Sequence, residues 1–171
     1  VNVPPGGYAA ALEELIARAR VEHEVLLARI SPEMRASLPV DATGVTQGIE
    51  VLAAAVGIED EIRALRDRLN RANPAVLHGR VFGRGEVLSP ETVVAAFADG
   101  ARARATLLQR VATAIGGEDL RDEVEALFDA SPPPEGDLDP PLRITRLQAA
   151  YDAQERAVVL CGERLDETRG G

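Results

Sequence analysis

The chain contains no lysine and no tryptophan, and among its 171 residues there are only two histidines and one cysteine. All nineteen cationic residues are therefore arginine. This excludes a lysine Schiff base or a lysine general base from any chemistry the chain performs. The lone Cys161 excludes an intrachain disulfide framework and suits a reducing compartment. No apolar run reaches the length of a membrane span, and the opening VNVPPGGY lacks the charged and apolar regions of a secretory signal. A soluble, cytoplasmic protein is expected, with no membrane partner. Basic patches are missing as well. The formal net charge is −9, so binding to a phosphate backbone, and hence to nucleic acid, is not expected.

What the sequence does have is alanine and leucine. Hydrophobic residues make up 46% and aromatics only 3%, which favours helix over an aromatic-rich and β-branched sheet. The length suits a single domain spanning residues 1–171. Residues 1–7 form a flexible lead-in. From Tyr8 to Ile30 the residues Leu12, Leu15, Ile16, Ala19, Leu26, Leu27 and Ile30 make one apolar face, with His23 within it. Prolines 32 and 39 then mark a connector.

A second helix is predicted from Val45 to Arg71, where Val51, Ala55, Ile58, Ile62, Leu65 and Leu69 recur at steps of four and three. Ala54 lies beside Val51 and Ile58 on that face. Asn73-Pro74 ends this helix, and the glycine-containing stretch to Leu88 reads as a loop. Ser89-Pro90-Glu91 starts a third helix, and Gly116-Gly117 is predicted to stop it. Its inward residues are Val93 or Val94, Phe97, Ala101, Leu108, Val111 and Ile115. A short extra helix covers Glu118 to Ala130, and residues 131–141 form a proline-rich linker. The last helix, Leu142 to Thr168, carries a seam of Ile144, Leu147, Tyr151, Gln154, Val158, Cys161 and Leu165. The expected fold is all-α: a four-helix bundle with a short extra helix. Leu12, Ile16, Leu26, Ile58, Leu65, Phe97, Leu108, Leu147, Val158 and Leu165 are its expected core.

Two segments, VLAAAVGIEDEI (Val51 to Ile62) and LQAAYDAQERAVVL (Leu147 to Leu160), carry a resemblance. Together with LARISPEMRASLP after the first helix and LSPETVVAAFADGARARATLLQRV in the third, they resemble the DinB/YfiT-like superfamily of bacterial helical bundles. The likeness spans nearly the whole chain and rests on the order and spacing of the segments. It implies a DinB-like four-helix bundle. In that family three histidines hold a divalent metal that lowers the pKa of a bound thiol, and many members are thiol-dependent transferases. At the corresponding positions this chain has Ala54, Tyr151 and Glu155. With two histidines in total, His23 and His78, a three-histidine site is arithmetically excluded. No metal and no cofactor are therefore expected.

The remaining candidates each have two readings. Tyr151 and Glu155, four residues apart, share a helix face; they form a polar pocket, or the tyrosine fills vacated space and the glutamate sits at a wet rim. His23 faces Glu155 or Gln154 across the core as a general base or as a hydrogen-bonded core imidazole. Gln154 needs a buried partner. Cys161 reads as a small buried hydrophobe, Glu59, Asp60 and Glu61 as a solvated edge, and the glycines of GRVFGRGEV as a connector. The leading expectation is a small-ligand-binding or protein-interaction bundle. The alternative is a thiol-dependent transferase, or a metal-independent isomerase or lyase, acting around Tyr151, Glu155 and His23. The partners left open are a small molecule, a low-molecular-weight thiol and a second copy of the chain.

Overall fold

The structure is a computed structural model that describes residues 3–29, 42–72, 90–133 and 140–170. Among these residues there are five α-helices and no strand: α1 Tyr8–Leu27, α2 Thr43–Ala55, α3 Glu59–Ala72, α4 Pro90–Ala130 and α5 Pro140–Gly170. The all-α expectation holds. Ser89, His78, the connector prolines 32 and 39 and the GRVFGRGEV glycines lie outside the described residues.

The expected second helix is two helices. Gly57 adopts φ 73°, a left-handed conformation that glycine reaches without steric cost. Its N–H donates to Ala54 O at 3.3 Å, and the Ile58 N–H donates to Ala53 O at 3.0 Å. That pair of bonds is a Schellman motif, which satisfies the last carbonyls of α2 and turns the chain. Glu59, Asp60 and Glu61 are consequently the first turn of α3, where negative charge complements the helix dipole. The apolar stripe crosses the break in step: Ala55 and Ile62 are buried, and Val51, Ile58, Leu65 and Leu69 pack against the core.

α4 carries a break where the sequence predicts one. Gly117 has φ 71° and ψ −158°, outside helical geometry, so α4 is two helical arms joined at a kink, the second running to Ala130. The predicted stop is a kink, and the predicted extra helix is the arm beyond it. That arm buries Leu120, Val124 and Phe128, and Arg164 of α5 donates to Glu123 on its outer face at 2.6 Å.

α5 packs against α1, α2 and α4. α1 runs antiparallel to it, with the Tyr8 N–H on Asp166 at one end and Arg20 on Glu155 at the other. α2 runs parallel to it, with Gly48 against Val158 and Arg169 donating to Ala55 O. The close approach of α1 and α5 depends on Gly162, where a Cβ would lie 2.7 Å from Leu12 Cδ1 and 3.1 Å from the Ala9 backbone. Leu12, Ile49, Leu52, Leu108, Leu120, Val158 and Leu165 fill the centre.

Of the expected core, Leu12, Ile16, Leu108, Leu147, Val158 and Leu165 are buried, and Ile58, Leu65 and Phe97 are half-buried. Leu26 is a correction, being 57% exposed. Near its end α1 buries only a narrow face, and Leu26 lies outside it. The stripe Tyr8, Leu12, Ile16, Ala19, His23 selects Leu27, four residues after the histidine, and leaves Leu26 in solvent.

Candidate functional site

The seam of α5 turns Tyr151 and Glu155 toward α1, because residues four apart share a helix face. They are buried, at 5% and 8% exposure. A buried carboxylate needs a counter-charge and hydrogen bonds. Arg20 of α1 supplies both: Nε donates to Glu155 Oε2 at 2.9 Å, and Nη2 donates to Glu155 Oε1 and, at 2.8 Å, to Asp152 Oδ1. Gln148 Nε2 donates to the same Asp152 oxygen at 2.9 Å. The Arg20 guanidinium carbon also lies 5.7 Å from the centre of the Tyr151 ring, within cation–π range. The fork of two parallel bonds to Glu155 fixes the guanidinium more firmly than a point charge could. The Arg20 pKa is raised above its ordinary value, first by the hydrogen bond to Glu155 and against the opposing effect of burial.

Arg20 holds both Glu155 oxygens, and His23 lines a groove with Tyr151, Gln148, Glu24, Val21 and Val25. This groove has a volume of about 410 Å³ and has Arg20 in its wall. A second, more open groove of about 680 Å³ lies along the same two helices. Arg20 lines that one too, so its guanidinium separates the two spaces.

Gln154 faces α4. Its Nε2 donates to Ala101 O at 2.7 Å, and its Oε1 faces Arg104 Nε at 3.4 Å. Arg104 is only 5% exposed. Two arginines at the centre of the arrangement, Arg20 and Arg104, were thus not singled out by sequence reasoning. For Arg104 a signal existed: it fills the gap between Ala101 and Leu108 in the stripe Phe97, Ala101, Leu108, Val111. Arg20 gave a weaker one, four residues after Ile16.

Ala54 does not join the site. It is exposed, while Ala53 and Ala55 on either side are buried, and it lines neither groove. α2 is parallel to α5, and Gly48 lies level with Val158. Ala54 is therefore about a dozen residues further along α5 than Tyr151, roughly 20 Å at 1.5 Å per residue. The sequence reading took Val51 to mark the inward face, but α2 buries Val45, Ile49, Leu52 and Ala53; Val51 is half-buried at the edge of that face and Ala54, three residues on, falls outside it. Ala54, Tyr151 and Glu155 do not fit a shared metal ion. Among the described residues no group of three or more His, Cys, Asp or Glu side chains is placed to hold one.

Cys161 lies in the core, and burial pushes its thiol up to about 12 against a lowering influence from Arg164. It is a packing residue, without the thiolate that nucleophilic chemistry requires. Among the described residues no helix is long and apolar enough to cross a membrane. No known family model matches the chain, and neither does any curated protein or solved structure.

Proposed function

We propose that this chain is a DinB-like four-helix bundle that binds a small molecule in the groove between α1 and α5, with no part for a family-type metal. The carrying observation is the convergence of His23, Tyr151 and Gln148 on one concave space whose surface is mainly apolar, with Val21 and Val25 beside Arg20 and Glu24 in the remaining wall. Apolar walls with a few convergent polar groups are the usual make-up of a small-molecule site. A compact, mainly apolar ligand with one hydrogen-bonding group suits this lining. Tyr151 and His23 would orient the polar end, and the valines would cover the apolar end. Glu155, with both oxygens on Arg20, holds the guanidinium in place rather than serving as a free base.

The enzymatic reading that has support is a metal-independent isomerase or lyase, because an imidazole and a phenol line the same groove and are capable of proton transfer. A thiol-dependent transferase has less support, since the cation that would favour a thiolate already faces Glu155 and Asp152.

Native mass spectrometry of the purified protein tests the binding reading. A bound small organic molecule is expected on the wild type and its loss on Val21→Trp, a substitution at an exposed groove position that fills the space. Retention by the variant would contradict the assignment of the site, and turnover of candidate substrates abolished by His23→Gln would favour the enzyme.

A further inference from the structure

We propose that the second groove along α1 and α5 docks a basic amphipathic helix of a partner protein. Its floor is apolar and comes from Ile16, Val159 and Leu160, while Ala17 keeps it open on the α1 side. Its rim is acidic. Glu13 and Glu163 stand at one end, Asp152 and Glu155 at the other, and four carboxylates face only two guanidinium groups, those of Arg20 and Arg156. Arg20 is already engaged with Asp152 and Glu155, so it neutralises charge that is internal to the site. Glu13 and Glu163 are exposed and carry no ion pair among the described residues.

An apolar trough with charged edges is the surface that accepts an amphipathic helix, its apolar stripe down and its flanking charges against the rim. The rim chemistry selects the sign. Lysine or arginine on the incoming helix would complement it, and complementarity of this kind sets both specificity and association rate. From Glu13 to Arg20 the wall rises about 10 Å, enough for roughly two turns of a bound helix. A second copy of this chain is a poor occupant, because its net charge of −9 would bring acid onto acid. Helix docking here is independent of the small-molecule groove.

The test uses the whole chain and a fluorescein-labelled Leu/Lys amphipathic peptide of about fourteen residues, followed by anisotropy. Saturable binding is expected, with affinity falling about tenfold in Glu13→Lys/Glu163→Lys. The control Glu59→Lys/Asp60→Lys makes the same change in net charge on α3 and should alter affinity by less than about twofold. Ala17→Trp fills the trough without changing charge and should also weaken binding about tenfold. Circular dichroism verifies that each variant, altered only at exposed positions, is folded. Val21→Trp should leave peptide binding unchanged, which separates this proposal from the small-molecule reading. Equal losses in the two charge-reversal variants would show that only net charge is sensed, and would overturn the proposal. So would full affinity in Ala17→Trp, equal binding of a Leu/Glu peptide, or no binding at all.

Discussion

The carboxylate of Asp166, near the end of α5, closes the start of α1: its Oδ1 accepts the Tyr8 N–H at 2.7 Å. Oδ2 accepts the Ala9 N–H at 3.0 Å, so two otherwise unpaired amides are satisfied by a residue more than 150 positions away. The interaction serves as a helix cap, a charge–dipole contact and a tie between the two helices that bound the site. Gly7 has φ 93°, and a Cβ there would lie 2.8 Å from Asp166 Oδ2, which fixes glycine at that position. Asp166→Ala should lower unfolding stability by roughly 0.5–2 kcal/mol. Urea denaturation measures this directly, and an unchanged midpoint would contradict the capping role.

The Arg20–Glu155 pair leads to a second prediction. Arg20→Leu leaves Glu155 buried without its counter-charge and should destabilise the protein by roughly 1–3 kcal/mol, below the full cost of breaking a buried pair because Arg20 is half in water. The double variant Arg20→Leu/Glu155→Leu removes the orphaned charge and should recover part of the loss. Denaturation of the two single variants and the double variant completes the cycle. If the double variant were as unstable as the sum of the singles, the residues would not be coupled.

Cys161 predicts an alkaline weakness. Burial holds its thiol near 12 in the folded state, against 9.0 for an unperturbed thiol. Between these values the unfolded chain gives up the proton while the folded chain keeps it, so unfolding gains favour as pH rises. The contribution is fully present below about pH 9 and is lost on passing upward toward 12. Stability of the wild type should therefore fall more steeply over this window than that of Cys161→Ala. A thiol reagent should label Cys161 only on unfolding. Parallel alkaline profiles of the two proteins would contradict this role for the buried thiol.

Helices, the Pro90 start of α4 and the buried seam of α5 were legible in the sequence, because periodicity and backbone-restricting residues act locally, whereas α5 starts at Pro140, inside the stretch predicted as a linker. Gly57 was not read as a break. The stripe from Val51 to Leu69 continues in phase across it, and only the Schellman hydrogen bonds reveal the turn. Leu26 and Leu27 illustrate a tie that local pattern leaves open and packing decides. In the candidate site, Tyr151 and Glu155 were visible as an i, i+4 pair, but their partner lies on another helix at a register no local pattern encodes. Gln154 was seen to need a partner, and Arg104 was concealed in an alanine-rich stripe that read as apolar.

The register of α2 against α5 yields a prediction about metal. Since Ala54 lies roughly 20 Å along α5 from Tyr151, the triple substitution Ala54→His/Tyr151→His/Glu155→His should not create a three-ligand zinc site. Titration calorimetry should show no more zinc affinity than the Tyr151→His/Glu155→His pair provides. A clear gain on adding Ala54→His to that pair would overturn the register.

The most direct test of the small-molecule site is to map backbone amide chemical shifts during titration with a mixture of small apolar fragments, each bearing one hydrogen-bonding group. Saturable shifts are expected, centred on Val21, His23 and Val25 of α1 and on Gln148 and Tyr151 of α5, and abolished in Val21→Trp. Shifts centred on Ala54, or none at these five residues at saturating fragment, would contradict a binding site between α1 and α5.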